Sequence, residues 1–207
     1  MAGAIRRIQK IKFKAMTIQE EKAALRQRMF GQLKKITPEL QMLHSANACL
    51  ILENEEIWKN ARSVLFFAPL PEEPDIWPLA ADALAAKKKV ALPKFIPERN
   101  HYASCEIQNF SSDVEMGKFG IREPKASCAE IPPIEFDLIL VPGIAFDLHG
   151  NRLGRGQGFY DRLLAEFRGT KIGIAFDEQI STEVSAEAHD VRMDFILTPT
   201  RCLQARD

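Results

Sequence analysis

Residues 138–164 read LILVPGIAFDLHGNRLGRGQGFYDRLL, and the order of events in this stretch decides the fold. An unbroken apolar run, LILV at 138–141, passes into a glycine-bearing connection and then into FYDRLL at 159–164, where apolar residues recur at helical spacing. Strand, loop and helix in that order is the repeating unit of a parallel α/β sheet. Gly154, Gly156 and Gly158 fall at alternate positions, with Arg155 among them and Arg152 just ahead. Glycine reaches positive φ and carries no Cβ to hold a polyanion away, while the first turn of the helix beyond offers N–H groups without intrahelical partners. Guanidinium groups match phosphate oxygens in pairs, so the loop reads as an anion site. Alternating glycines also build ordinary tight turns, and the loop alone leaves that reading open. No Lys-Ser or Lys-Thr follows the last glycine, and the spacing is not G-x-G-x-x-G, so neither a Walker A loop nor a dinucleotide fingerprint is present.

Working outward, four further apolar runs have strand length: SVLFFAP at 63–69, KVALP at 89–93, KIGIAF at 171–176 and MDFILT at 193–198; Asp137 and Pro142 bound the central one. Near-continuous apolar runs fit strands buried on both faces. Helical patterns lie between them at 75–87 and 160–167. Ahead of them, Thr17 with Glu20 forms a capping box for a helix over 17–33, and Pro38 after Thr37 starts a second helix that runs to about residue 60. The alternation predicts a three-layer α/β/α sandwich with a mostly parallel, Rossmann-like central sheet, right-handed crossovers and ligand loops at the carboxyl edge. Residues 102–133 are less regular and read as a hairpin with a long excursion over the site. No internal repeat is seen.

Composition narrows the class. A chain of 207 residues, 46% hydrophobic, is expected to form a single domain over 17–207. Lys plus Arg total 28 and Asp plus Glu total 28, so there is no global basic field of the kind nucleic-acid binders carry. Cys49, Cys105, Cys128 and Cys202 lack C-x-x-C spacing, which argues for reduced thiols rather than zinc or a disulfide framework. No run is long enough to span a bilayer and no secretory signal is evident, so a cytoplasmic protein without membrane or nucleic-acid partners is expected, as a monomer or weak dimer. Residues 1–16 hold Arg6, Arg7, Lys10, Lys12 and Lys14 and no acid. They read as a flexible basic arm, with an organelle-targeting peptide as the alternative.

Several side chains suit chemistry on a bound phosphate. Asp161, in the first turn after the glycine loop, either ligates a magnesium ion or complements the helix dipole. Asp190 is a second metal ligand if its loop folds back, and otherwise a surface acid; His189 beside it has no role without geometry. Lys22 and Arg26, four apart on a helix, project from one face and either grip phosphate oxygens or lie in solvent. Glu73 in PLPEEPDI is a carboxylate aimed by prolines, or a loop tip.

With these pieces assembled, the chain resembles the 5-formyltetrahydrofolate cyclo-ligase family. The resemblance rests on VPGIAFDLHGNRLGRGQGFYDR at 141–162, with colinear support from Lys22 and Arg26, Glu73, VALPKF at 90–95, GIREP at 120–124, GIAFDEQ at 173–179 and the pair His189-Asp190. It implies ATP- and Mg²⁺-dependent closure of 5-formyltetrahydrofolate, with or without a polyglutamate tail, to 5,10-methenyltetrahydrofolate, with ADP and phosphate released. It also implies roles. Lys22, Arg26, Arg152, Leu153, Gly154, Arg155, Gly156, Gln157, Gly158, Phe159 and Tyr160 match positions that hold ATP. Asp161 and Asp190 match magnesium ligands, and Arg26, Glu73, Arg155 and Phe159 match positions near the folate. Arg155 is expected to stabilise the transferring phosphoryl group and Glu73 to orient the pterin or its reacting amide. Three departures stand out: Gln157 in a slot often held by glycine or lysine, Phe159 where tyrosine also occurs, and Ser185 in place of a proline, which would loosen the loop bearing Asp190. The competing readings are a nucleotide or folate binder without turnover and an α/β sugar-phosphate isomerase.

Overall fold

The computed structural model describes residues 16–117 and 120–206. The expected basic arm therefore lies, apart from Met16, outside the described residues. Helix α1 (Ile18–Leu33) opens on the anticipated capping box: the Glu20 N–H donates to Thr17 Oγ1, and the Thr17 N–H donates back to Glu20 Oε2 at 2.7 Å. Helix α2 (Pro38–Asn54) has Thr37 as its cap. The helix expected to reach residue 60 instead breaks at Glu55, which is extended, and restarts as α3 (Glu56–Asn60). The break re-aims the chain so that Trp58 is buried edge-on against Phe66, a contact a straight helix would not make.

Then follow β1 (Ser63–Leu65), α4 (Trp77–Ala85), β2 (Lys89–Ile96), β3 (His101–Ile107), a short α5 (Phe110–Asp113), the hairpin β4 (Val114–Met116) with β5 (Arg122–Pro124), and β6 (Leu138–Pro142). The chain closes with the small hairpin β7 (Ala145–Phe146) and β8 (Arg152–Leu153), α6 (Phe159–Glu166), β9 (Thr170–Ile174), β10 (Phe195–Thr198) and β11 (Arg201–Gln204).

Seven strands form the main sheet in the order β11-β10-β9-β6-β1-β2-β3. The five inner strands are mutually parallel, and the antiparallel β3 and β11 close the two edges. Counted among themselves, the parallel strands run 2-1-3-4-5, so the winding reverses between β1 and β6. The apolar runs are explained by burial on both faces. Val64, Val90, Leu140, Ile172 and Leu197 face the helices α2–α4, while Leu65, Ala91, Ile139, Val141 and Ile196 face α6 through Leu163 and Leu164. β2 outruns its expected end at Pro93 because β3 pairs with it from Val90↔Ile107 to Ile96↔His101. The strand expected over 63–69 is shorter, yet Phe66, Phe67 and Ala68 stay buried beyond its end. β11 was not expected from the sequence; its pattern of partly exposed residues is that of an edge strand.

α1 does not cover the sheet. Met29 packs with Ile144, Ala145, Leu153 and Val184, so this helix lies against the β7–β8 hairpin at the carboxyl edge and carries its side chains to the switch point. Among the described residues no helix is long and apolar enough to cross a membrane.

Candidate active site

A cleft of about 510 Å³ opens where the winding reverses, beside Ala68 after β1 and Gly143 after β6. Every residue the sequence singled out for ATP, folate or metal lines it: Lys22, Arg26, Glu73, all positions 152–161, and Asp190. The floor of the glycine loop departs from expectation. The chain does not pass from the sheet strand straight into the loop but first makes the β7–β8 hairpin, and the loop leaves from β8. Asp147 holds the hairpin turn. Fully buried, its carboxylate accepts from the backbone N–H groups of His149, Asn151 and Val184 and from the Asn151 side chain at 2.9–3.0 Å. Sequence reasoning missed Asp147, although an acid between Phe146 and the glycine turn is the kind of residue that satisfies backbone donors.

The three glycines serve two different needs. Gly156 and Gly158 sit at φ +92° and +64°, which other residues rarely adopt, and Gly158 forms the N-terminal boundary of α6. At Gly154 the requirement is space, since a Cβ would fall 2.9 Å from Arg152 Nη1. Arg26 reaches across from α1 and donates from Nε to the Gly154 carbonyl at 2.9 Å, fixing the loop to the helix.

The two arginines of the loop differ sharply. Arg152 is 8% exposed, donates to Asp161 Oδ1 at 2.7 Å and to the Pro142 carbonyl at 3.3 Å, and lies over the Tyr160 ring. Asp161 thus spends one oxygen on Arg152 rather than on capping α6, which has no side-chain cap. Arg155, with its side chain 40% exposed, donates to Glu72 at 2.7 Å and to Glu73 at 3.3 Å. Glu73 is 7% exposed and also accepts from the Leu70 N–H. Burial pushes its carboxyl above the usual range, against the pull of that N–H and of Arg155. Beside these groups Phe95, Tyr102 and Phe159 meet edge to face with centroids 5.1–5.6 Å apart, and Arg162 lies 5.0 Å from the Phe159 ring. Burial pushes the phenols of Tyr102 and Tyr160 up, so both are neutral donors. Gln157 contributes its carbonyl to Arg162 at 3.4 Å.

At the other end of the cleft Lys22, 6% exposed, bridges Glu187 at 2.9 Å and Asp190 at 2.7 Å. Burial lowers its pKa, but the two carboxylates outweigh that and hold it above the ordinary lysine value. Burial raises Asp190, and the hydrogen bond from Lys22 with the Glu187 N–H takes it below the usual range. Glu187, His189 and Asp190 each bring one ligating atom within 4.8 Å of the others. Ser185 donates to Glu21 at 2.6 Å, so the loop expected to be loosened here is tied to α1. Asp161 belongs to the Arg152 pair and Asp190 to the Lys22 pair, at two places along one cleft.

Glu123 on β5 is a further residue that sequence reasoning did not assign, as are Tyr102 and Glu187, which also line the cleft. Glu123 lines the cleft, is 7% exposed and is raised by burial. The signal was its place in GIREP at 120–124, quoted for the resemblance without a role.

Fold and site together define a doubly wound α/β protein whose switch-point cleft sets a glycine loop with arginines against buried carboxylates and an aromatic cluster. Residues 18–199 match the 5-formyltetrahydrofolate cyclo-ligase family, and the chain belongs to it. It is 36% identical over 154 residues to the 5-formyltetrahydrofolate cyclo-ligase of Mycolicibacterium smegmatis, covering 70% of this chain and 78% of that one. With the Escherichia coli K12 5-formyltetrahydrofolate cyclo-ligase it shares 29% identity over 81% of this chain and 94% of that one. The NMR structure of Aquifex aeolicus 5,10-methenyltetrahydrofolate synthetase superimposes with a TM-score of 0.80 at 31% identity, covering 90% of this chain and 93% of that one.

Proposed function

We propose that the protein closes 5-formyltetrahydrofolate to 5,10-methenyltetrahydrofolate while ATP is converted to ADP and phosphate. The observation that carries this reading is the convergence on one cleft of the glycine loop, Lys22, Arg26, Glu73, Asp161 and Asp190, drawn from segments far apart in the chain.

A formyl amide is inert toward an amine, so its oxygen first attacks the γ-phosphoryl of ATP and ADP leaves. The carbon of the resulting phosphorylated imidate is electrophilic; the neighbouring folate amine adds to it, loses its proton, and phosphate departs as the new C–N bond becomes the ring. Phosphoryl transfer needs positioning and charge neutralisation rather than a protein nucleophile. The loop N–H groups at 156–160 suit phosphate oxygens, and Arg155 exchanges Glu72 for the transferring group, since a guanidinium that exposed is held by less than a buried one. Glu73 and Phe159 orient the folate, the carboxyl by hydrogen bonding and the ring by stacking.

At the Lys22 end of the cleft Glu187, His189 and Asp190 form a donor set that fits a hard divalent cation, because carboxylate oxygens dominate it; Asp161 stands apart from that set, in the Arg152 pair, and its part rests on the resemblance. Asp161 and Asp190 would hold Mg²⁺, which supplies neutralisation of the triphosphate. Lys22 then has Glu187 as its remaining partner. The reading is tested by incubating the protein with 5-formyltetrahydrofolate and Mg²⁺, with and without ATP, and following the methenyl chromophore in the near ultraviolet. ATP-dependent appearance of that absorbance is expected; binding without turnover would leave a nucleotide or folate binder instead.

A further inference from the structure

We propose that Glu123 is a specificity residue for the folate: its Oε1 accepts a hydrogen bond from the amino and ring N–H edge of the bound pterin. This rests on the function proposed above and adds a contact to it. Glu123 Oε1 is buried and has no hydrogen-bond partner among the described residues. Protein interiors rarely leave a carboxylate oxygen so, because a desolvated acceptor without a donor is costly, and such an orphan at the wall of a cleft marks a place where a ligand completes the set.

The internal contacts leave Oε1 unsatisfied: Lys94 and the Phe95 backbone N–H both favour the charged carboxyl, yet burial outweighs them, and Oε1 has no donor among the described residues. Lys94 is the nearby cation, but its Nζ donates to the Pro124 carbonyl at 2.8 Å and makes no ion pair with Glu123. Glu115, directly opposite Glu123 in the β4–β5 register, adds like charge rather than relief. The carboxyl is also held in place. Gly117 passes so close that a Cβ there would lie 2.5 Å from Glu123 Cδ, so a larger residue at 117 would have to displace this side chain. A carboxylate that merely packed would not need a hairpin shaped around it while one oxygen stays unpaired.

The chemistry of the two substrates decides which one supplies the donor. A pterin presents an exocyclic amino group and a ring N–H side by side, a two-donor edge that matches a carboxylate. The triphosphate belongs with the arginines and the glycine loop. Besides burial, Glu123 and Glu73 both raise the Tyr102 phenol, so the two acids stand around Tyr102, whose ring Phe159 meets from the start of α6.

The experiment compares 5-formyltetrahydrofolate with its analogue carrying a methyl group in place of the 2-amino group, on the wild type, Glu123→Gln and Glu123→Ala. For the wild type, the analogue should lose roughly tenfold to a hundredfold in kcat/KM. Glu123→Ala should raise the folate KM by a similar factor, leave the ATP KM within about threefold, and treat the two folates alike. Persistence of the discrimination in Glu123→Ala, a shift in the ATP KM in place of the folate KM, or a wild type indifferent to the missing amino group would each overturn the proposal. If the alanine variant fails to fold, the isosteric Glu123→Gln carries the same comparison. Calorimetric binding of both folates without ATP separates the two levels: a wild type that binds 5-formyltetrahydrofolate and discriminates, yet does not turn it over, sinks the catalytic reading and keeps the role of Glu123. A wild type that binds neither folate ends both.

Discussion

The two sides of the cleft are built on opposite plans. The glycine-loop side is made of backbone and guanidinium groups, held by Arg26 on Gly154 and by Arg152 on Asp161. The opposite side is made of buried carboxyls, Glu73 and Glu123, set around the Phe95 and Tyr102 rings, against which Phe159 packs from the loop side. Donors face acceptors in a cleft of about 510 Å³, and under the proposed function the difference teaches how one cavity would sort two substrates by the sign of what they present: phosphate oxygens to one side and N–H groups to the other. Arg155 links the sides, since it rises from the loop and rests on Glu72 and Glu73.

Removing that link should have the largest effect. Arg155→Ala is expected to lower kcat by on the order of 10²-fold or more, about 2.7 kcal/mol of barrier, as the loss of a charge-stabilising group does; a fall of less than about threefold in steady-state turnover would take the phosphoryl role away from it. Within the loop side, Arg152→Met should act on stability, because it strands Asp161 and the Pro142 carbonyl without their buried partner. The unfolding free energy in urea should drop by about 2–3 kcal/mol, and an unchanged midpoint would mean that the loop does not depend on this pair.

Asp161→Asn keeps a hydrogen-bond acceptor for Arg152 but removes the negative charge, so the pair becomes net positive. Turnover should then need severalfold more Mg²⁺, and a titration superimposable on that of the wild type would leave Asp161 as a support for Arg152 alone. The smallest effect belongs to the acid side and has a definite sign. The folded pKa of Glu73 lies above its unfolded value of about 4.3, so the folded state binds the extra proton between those two values. Its ionisation therefore costs stability as pH rises through that window, and the cost remains above it. Glu73→Gln should melt at an equal or slightly higher temperature than the wild type at pH 7, with the advantage gone near pH 4, while turnover falls. A lower melting temperature at pH 7 would show that the Arg155 and Leu70 contacts outweigh burial.

Much of the fold was legible in the residues because its signals are local. Double-sided burial writes apolar runs at the five parallel strands, and a Thr-x-x-Glu box writes the start of α1. The glycine loop was legible for the same reason: positive φ at Gly156 and Gly158 is a local demand. Helix α2 was drawn too long because nothing near Glu55 breaks a helix by itself; the break is imposed by the packing of Trp58. β11 escaped notice because an edge strand needs no apolar run, and the β7–β8 hairpin because two-residue strands carry too little pattern to detect.

By itself the sequence determined the α/β class, the place of the glycine loop and the identities of the charged residues, since periodicity, turn chemistry and residue type act over a few neighbours. Only the tertiary structure decided that α1 leaves the sheet to carry Lys22 and Arg26 to the switch point, that Arg152 is committed to Asp161 while Arg155 stays exchangeable, and that Glu123 keeps one oxygen unpaired. Those outcomes depend on which groups come to share a low-dielectric space, and burial and partnership follow from packing rather than from local pattern.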